Sequence, residues 1–180
     1  GCSLQEAIFS ANFDDNIAIA RYRTDDTAEF IRTDCVAGFG DDVIVLPIGA
    51  VLALRKIVDD ADNPFGPTAT PIIKSRIRIE AHGAVLERTG AENFRAFAVG
   101  GGGHLTLRAA HLRGFLAKGG DGGRAAGGGL GAGGAIYVYA GGVEVEASTF
   151  EGNGAVGGNG GTSDGSSANG GGGGIGGDGS

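Results

Sequence analysis

Apolar and polar residues alternate along this chain in short bursts. Val43-Ile44-Val45-Leu46 and Val51-Leu52-Ala53-Leu54 are separated by Pro47 and Gly49. Ile72-Ile73, Ile77-Arg78-Ile79 and Val85-Leu86 follow, then Phe94, Phe97 and Val99, and later Ala135-Ile136-Tyr137-Val138-Tyr139. Such runs, rich in β-branched and aromatic side chains and bounded by glycine or proline, read as short strands. Only the N-terminus breaks the period. Leu4, Ala7, Ile8 and Ala11 recur at helical spacing, and Ser3 with Glu6 forms a capping box, each side chain placed to satisfy the other's orphan backbone donor. This helix is expected to end near Asn12. Residues 14–34 mix charges freely and read as an irregular excursion with one short strand around Ile17–Tyr22.

One stretch occurs twice without a gap. Leu105 to Gly120 lies over Val143 to Gly158, so that Leu105 meets Val143, Leu107 meets Val145, Ala109 meets Ala147, Leu112 meets Phe150 and Gly114 meets Gly152. The apolar positions, read as inward, are kept, while the outward residues change size and sign. Arg108 and Arg113 become Glu146 and Glu151. This is the signature of stacked structural repeats in which only the buried face is constrained. Short strands, glycine at the corners and the absence of a second helix predict an all-β fold, a right-handed parallel β-helix (solenoid), with the N-terminal amphipathic helix as its cap. Residues 1–40 would form the cap and an irregular segment. Residues 41–180 would form the coils, with glycine-rich inserts from about 119 onward, in one domain overall. A β-sandwich explains the alternation but neither the ungapped match nor the inserts.

Composition sharpens this picture. Of 39 glycines, 27 fall after residue 118. Strand patterns interrupt the glycine runs, which argues for loops carried on an ordered scaffold, either close-packed or mobile. Gly127–Gly131 is similar to Gly172–Gly176, so the inserts themselves repeat. Lys and Arg number 14 against 21 Asp and Glu, a net charge of −7 without a basic stripe, which argues against nucleic acid as a partner. No apolar run reaches the length of a membrane span. The chain has no Met, begins at Gly1-Cys2 and stops inside a glycine run, which implies a processed chain or an excerpt of a longer one. Cys2 and Cys35 would pair in a secreted protein, closing a loop whose constraint contributes on the order of 3–4 kcal/mol, and would be two free thiols in a cytosolic one. The extracellular character of the rest favours the disulfide.

Few residues suggest chemistry. His104, Arg108, His111 and Arg113 surround the first repeat copy on its outward positions, where a polysaccharide lyase would keep its basic group. The second copy replaces them by Gly142, Glu146, Thr149 and Glu151, and a solvated surface is the better reading. Asp59, Asp60, Asp62 and Asn63 could hold Ca²⁺ in an acidic loop, but their spacing fits no EF-hand, and a turn-forming loop is the plainer reading. Gly173–Asp178 matches half of a Ca²⁺-binding nonapeptide and lacks the apolar residue that should follow. The glycine motifs that resemble phosphate loops do not stand between a strand and a helix. No catalytic, cofactor or metal residue is therefore assigned. Tyr137 and Tyr139 share one side of a strand and form a small candidate contact patch.

Several segments carry a resemblance. Cys2-Ser3-Leu4-Gln5-Glu6-Ala7-Ile8 followed by Ala11-Asn12 opens the chain, and Asp34-Cys35-Val36-Ala37-Gly38 leads to Gly40-Asp41-Asp42-Val43-Ile44-Val45-Leu46-Pro47. With Gly66-Pro67-Thr68, Pro71-Ile72-Ile73, Ile77–Glu80, Gly83-Ala84, Gly133–Ile136 and Ser148–Asn153, these resemble the CSLREA-type, polymorphic-outer-membrane-protein-like β-helix proteins of bacteria. Gln5 stands where that family usually has Arg, and Ala140-Gly141 and Glu146 are local variants. The resemblance covers nearly the whole chain. It implies secretion, display or shedding at the cell surface and a right-handed parallel β-helix, and it implies no shared active site. The expectation is a non-enzymatic extracellular structural or adhesion module, its partner a surface glycan or itself, joined head to tail into a filament. The alternative is a glycan-active β-helix enzyme. Ice binding would want a regular Thr ladder that the sequence lacks.

Overall fold

The computed structural model describes residues 1–23, 25, 27–58 and 63–162. A helix, α1 (Leu4–Phe13), and an antiparallel hairpin, β1 (Ile17–Tyr22) and β2 (Ala28–Arg32), precede a parallel β-helix. The coil begins with β3 (Asp41–Val45) and β4 (Val51–Leu54) in its first rung. The second rung holds β5 (Arg76–Glu80), β6 (Val85–Arg88) and β7 (Phe97–Val99). The third holds β8 (His104–Arg108), β9 (His111–Arg113), β10 (Leu116–Lys118) and β11 (Ile136–Val138). The fourth holds β12 (Gly142–Glu146), β13 (Thr149–Glu151) and β14 (Gly154–Val156). One four-stranded sheet runs β12-β8-β5-β3 and another β13-β9-β6-β4, every pair parallel. The third face is completed by β7 with β11, β10 with β14, and the bridges Thr68–Arg95 and Ile73–Val99.

The ladder register is the register of the internal repeat. Leu105 pairs with Val143, Leu107 with Val145 and Leu112 with Phe150. One rung earlier, Ile77, Ile79 and Leu86 occupy the same three columns. In the second and third rungs these aliphatic side chains are fully buried, so the core is a stack of like on like. Period-2 alternation puts them inward and sends Arg76, Arg78, Arg108, His111 and Arg113 outward.

The corner between the first two sheets is made by one residue in the left-handed region: Gly49 (φ 60°), Ala109 (φ 50°) and Ala147 (φ 46°) in the first, third and fourth rungs, with His82 (φ 48°) beginning it in the second. The sequence pattern counts Ala109 and Ala147 among the inward residues. They are corner residues instead, and Ala110, next in the chain, is the buried one. A helix or strand template cannot reveal this, because Ala is a poor left-handed residue, disfavoured there by roughly 1–2 kcal/mol. Glycine removes that strain but loses more chain entropy, about 0.5–1 kcal/mol. Ala109→Gly is therefore expected to raise unfolding stability by about 0.5–1 kcal/mol in denaturant titration. Ser148 and Asn153 close the backbone at the corners. Ser148 Oγ accepts from Ala110 N at 3.0 Å, while Asn153 accepts from Phe115 N and donates to Leu112 O, both at 2.9 Å.

Ser3 Oγ accepts from Glu6 N at 3.2 Å, and Glu6 Oε2 accepts from Ser3 N at 2.7 Å, which starts α1. Leu4, Ile8 and Ala11 join the core and close the first-rung end. Asn12 fixes the helix to the coil by donating to Ile72 O at 2.7 Å and accepting from Lys74 N at 2.9 Å. Cys2 and Cys35 form a disulfide that ties the helix start to the entry of the first rung. The second strand of the hairpin is missing from the sequence reading because its two large apolar residues, Phe30 and Ile31, are adjacent and both exposed, with charge on either side at Glu29 and Arg32. That charge is paired across the hairpin, Arg21 and Arg23 on Glu29 at 2.9 and 3.6 Å.

The glycine-rich segments 119–134 and 154–162 are packed in threes. Gly119 N donates to Val156 O, Gly122 N to Asn159 O and Ala125 N to Thr162 O, at 2.9, 2.8 and 3.4 Å. The segment returning through 126–134 runs the other way, with Gly129 N bonded to Gly120 O, Gly158 N to Gly129 O and Gly161 N to Ala126 O. A Cβ built on Gly119 would lie 2.2 Å from Gly129 O, on Gly128 2.0 Å from Gly158 O, and on Gly158 1.8 Å from Gly120 O. Gly122, Gly131 and Gly161 repeat these contacts three residues on. Three extended segments thus face one another round a triangle, each turning every third glycine toward the next. Three residues per turn is the period of an extended polyproline-type helix, which also seats only glycine where chains crowd.

Candidate functional site

The four basic residues singled out in the sequence divide between two sheets. His104 and Arg108 lie on β8, and His111 and Arg113 lie on β9, round a corner. Each meets a side chain of an adjacent rung. Arg108 sits between Glu80 and Glu146, at 3.4 and 2.7 Å, and His104 Nε2 lies 3.9 Å from Glu144. Arg113 is ion-paired with Glu87, which raises the guanidinium's pKa, and His111 Nδ1 meets Thr149 Oγ1. These columns alternate in charge from rung to rung, and that alternation explains why the two repeat copies exchange Arg for Glu. Cross-strand pairs of opposite charge on such exposed side chains each add only a small stabilisation, because solvent screens them.

Of the acidic loop, Asp59, Asp60 and Asp62 lie outside the described residues, as do Gly172–Gly176 and the half-nonapeptide Gly173–Asp178. Asn63 is described, and its amide is used within the chain. It donates to Gly66 O and Thr68 Oγ1, at 3.2 and 2.9 Å, and accepts from Phe65 N at 3.0 Å. Among the described residues no group of three or more His, Cys, Asp and Glu could hold a metal ion. Within the glycine bundle, Asp121 accepts from Asn159 N and pairs with Lys118, both at 2.7 Å. The Lys118 hydrogen bond, followed by that of Asn159, holds its carboxyl below the usual carboxylate range.

Tyr137 and Tyr139 share one side of their strand and acquire a third ring that the sequence pattern does not show. Phe65 stacks on Tyr139 at 4.6 Å and leans on Tyr137 at 5.6 Å. The cluster is set by Arg95, which lies almost wholly buried with its guanidinium 5.2 Å from the Tyr137 ring centre. Arg95 donates to Phe65 O at 2.7 Å and to Ala132 O at 2.9 Å, and burial pushes its pKa below the ordinary arginine value. It thereby ties the loop at Phe65, flanked by Pro64 and Pro67, and the glycine bundle to the coil. An arginine among Phe94, Ala96 and Phe97 is the one sequence signal for this tie, since a buried charge needs partners. Tyr139 remains largely exposed above the cluster.

The two ends of the coil differ. At the first rung, α1 leaves a groove of about 750 Å³ lined by Leu4, Ile44, Leu52 and Leu54. Val36, Phe39 and Ile48 stand nearly free beside this end. The inward column also contains a carboxylate there, since Asp42 aligns with Ile77. Its Oδ1 accepts from Phe39 N at 3.0 Å. At the fourth rung the inward column is wholly apolar, and Val143, Val145 and Phe150 line an open hollow with Ile136 and Ala155.

No family model matches the chain, no curated protein is significantly similar to it, and no solved structure matches it. The fold defines the class: a parallel β-solenoid with a short helix at one end. No helix among the described residues is long and apolar enough to cross a membrane.

Proposed function

We propose that the chain is a non-enzymatic structural or adhesion module of the cell surface or extracellular space. The observation that carries this reading is the pairing of the outward columns. The side chains best suited to acid–base work on a polysaccharide are divided round a corner and engaged by neighbouring rungs, Arg108 by Glu80 and Glu146 and Arg113 by Glu87. A lyase needs a basic group within reach of one substrate proton, with a cation or arginine opposite the uronate carboxylate. The Cys2–Cys35 disulfide supports an oxidising compartment. The resemblance to CSLREA-type surface proteins points the same way.

Adhesion to glycans is supported by the exposed ring of Tyr139, backed by Phe65. Joining of copies head to tail has less support. In coil register it would set Val143 of one copy on Asp42 of the next and bury that carboxylate against an apolar core. Incubation with uronate and neutral polysaccharides, with and without Ca²⁺, is expected to release no product. Turnover that disappears in His111→Ala would overturn the reading in favour of the enzyme alternative.

A further inference from the structure

We infer that the outer face of the β12-β8-β5-β3 sheet carries a binding site for the carboxylate of a uronate-containing polysaccharide, held by Arg76 and Arg78 with His104 beside them. The choice of ligand rests on the glycan-adhesion reading above, and the site is a different one from the Tyr139 ring.

The site is a groove of about 370 Å³ on the flank of the coil, centred on the second and third rungs. Its size falls in the lower part of the range for small-ligand sites, roughly 300–1,000 Å³. The strand period and the ladder register build it. Arg76 and Arg78 stand on the outward side of β5, two residues and so about 6–7 Å apart. His104 is in register with Arg76, and Thr106 with Arg78, one strand away. The hollow exists because short side chains lie between long ones. Val43 precedes Arg78 in its column, Thr106 follows it, and Gly142 follows His104. A Cβ on Gly142 would lie 2.6 Å from His104 Nδ1, so this glycine is what lets the ring lean across the fourth rung.

The three basic side chains are held loosely. Arg76 lies 3.9 Å from Asp41, Arg78 3.9 Å from Glu80 and His104 3.9 Å from Glu144, each beyond hydrogen-bond length. Their side chains make no hydrogen bond among the described residues. Arg88, Arg95, Arg108 and Arg113, by contrast, are each hydrogen-bonded within the chain. A guanidinium fork suits a planar carboxylate, which accepts two parallel N–H bonds from it. The rim chooses among anions. Asp41 and Glu144 border the groove. They repel a ligand charged along its whole length, such as a nucleic acid or a heavily sulfated chain, and they accept from hydroxyls. A uronate offers one carboxylate per sugar among several hydroxyls, with Thr106 on the floor as a further partner.

A fluorescently labelled hexagalacturonate, titrated with the full chain in calcium-free buffer and read by anisotropy, is expected to bind saturably. Affinity should fall by about tenfold or more in Arg76→Gln/Arg78→Gln, and likewise in Thr106→Glu, which sets a carboxylate on the floor. It should be unchanged in Arg113→Gln. These side chains are exposed or half-buried, and an unchanged melting curve will show that each variant is folded. The same hexamer with its carboxyls reduced to alcohols should bind about tenfold more weakly. No binding, equal binding to the reduced hexamer, or a loss in Arg113→Gln as large as in the double variant overturns the inference. So does a sulfated dextran that binds more tightly at the same residues. Binding of neutral polysaccharide alone overturns the site and leaves glycan adhesion standing. Cleavage of the bound hexamer upholds the site and overturns only the non-enzymatic reading.

Discussion

Gly128→Ala opens the glycine bundle, whereas Gly127→Ala, one residue earlier, leaves it closed. A methyl on Gly128 would sit 2.0 Å from Gly158 O and 2.3 Å from Gly158 C, whereas nothing lies within 4 Å of one on Gly127. Neither glycine has a φ in the left-handed region, so the difference is one of space alone. Overpacking usually costs about 1–3 kcal/mol when side chains can yield. Here the obstacle is the backbone of a hydrogen-bonded neighbour, and the cost is expected at the upper end, about 3 kcal/mol. Amide exchange is the measurement. Protection of Gly119, Gly122, Gly158 and Gly161 should fall together in the Gly128 variant, while the Leu105 and Leu107 amides keep theirs. Loss of protection in the Gly127 variant would count against backbone crowding as the organising force.

Removing the disulfide has an effect of similar size by a different route. Cys2 and Cys35 close a loop of sequence separation 33. Constraining such a loop in the unfolded chain contributes about 3–4 kcal/mol. Cys2→Ser/Cys35→Ser is expected to lower unfolding free energy by that amount in denaturant titration. Reductant should do the same to the unaltered chain and nothing further to the variant. The second comparison separates the cross-link from any local damage done by serine. An unfolding midpoint insensitive to reductant would remove the disulfide from the account of how α1 is held.

The coil and the glycine bundle were legible to very different degrees. The coil could be read because its constraint acts on side chains: Leu105, Leu107 and Leu112 recur as Val143, Val145 and Phe150 at a fixed offset. The glycine bundle could not, because its constraint acts on the absence of side chains. Gly128 and Gly127 are the same letter, and only the position of a neighbouring carbonyl tells a required glycine from an indifferent one. The corners show an intermediate case. Gly114 and Gly152 announce theirs, with φ of 73° and 60°. Ala109 and Ala147 hide theirs, since alanine fits a strand face as readily as a turn. The alternating columns are visible as Arg108 against Glu146, but their meaning depends on which residues lie one rung apart. The aromatic cluster needed Phe65, distant in sequence, to arrive beside Tyr139.

The glycine bundle also places an arithmetic on how this protein can change length. Its hydrogen bonds recur every third residue, at 119 and 122, 126 and 129, 158 and 161, and so do its crowded positions, at 119 and 122, 128 and 131, 158 and 161. Inserting or deleting three residues in one segment restores the same atoms to the same neighbours, one step along. A change of one or two rotates a side chain into the triangle and a glycine out of it. The inserts are thus free to vary in composition on their outer positions and to grow or shrink in size, but only in whole steps of three.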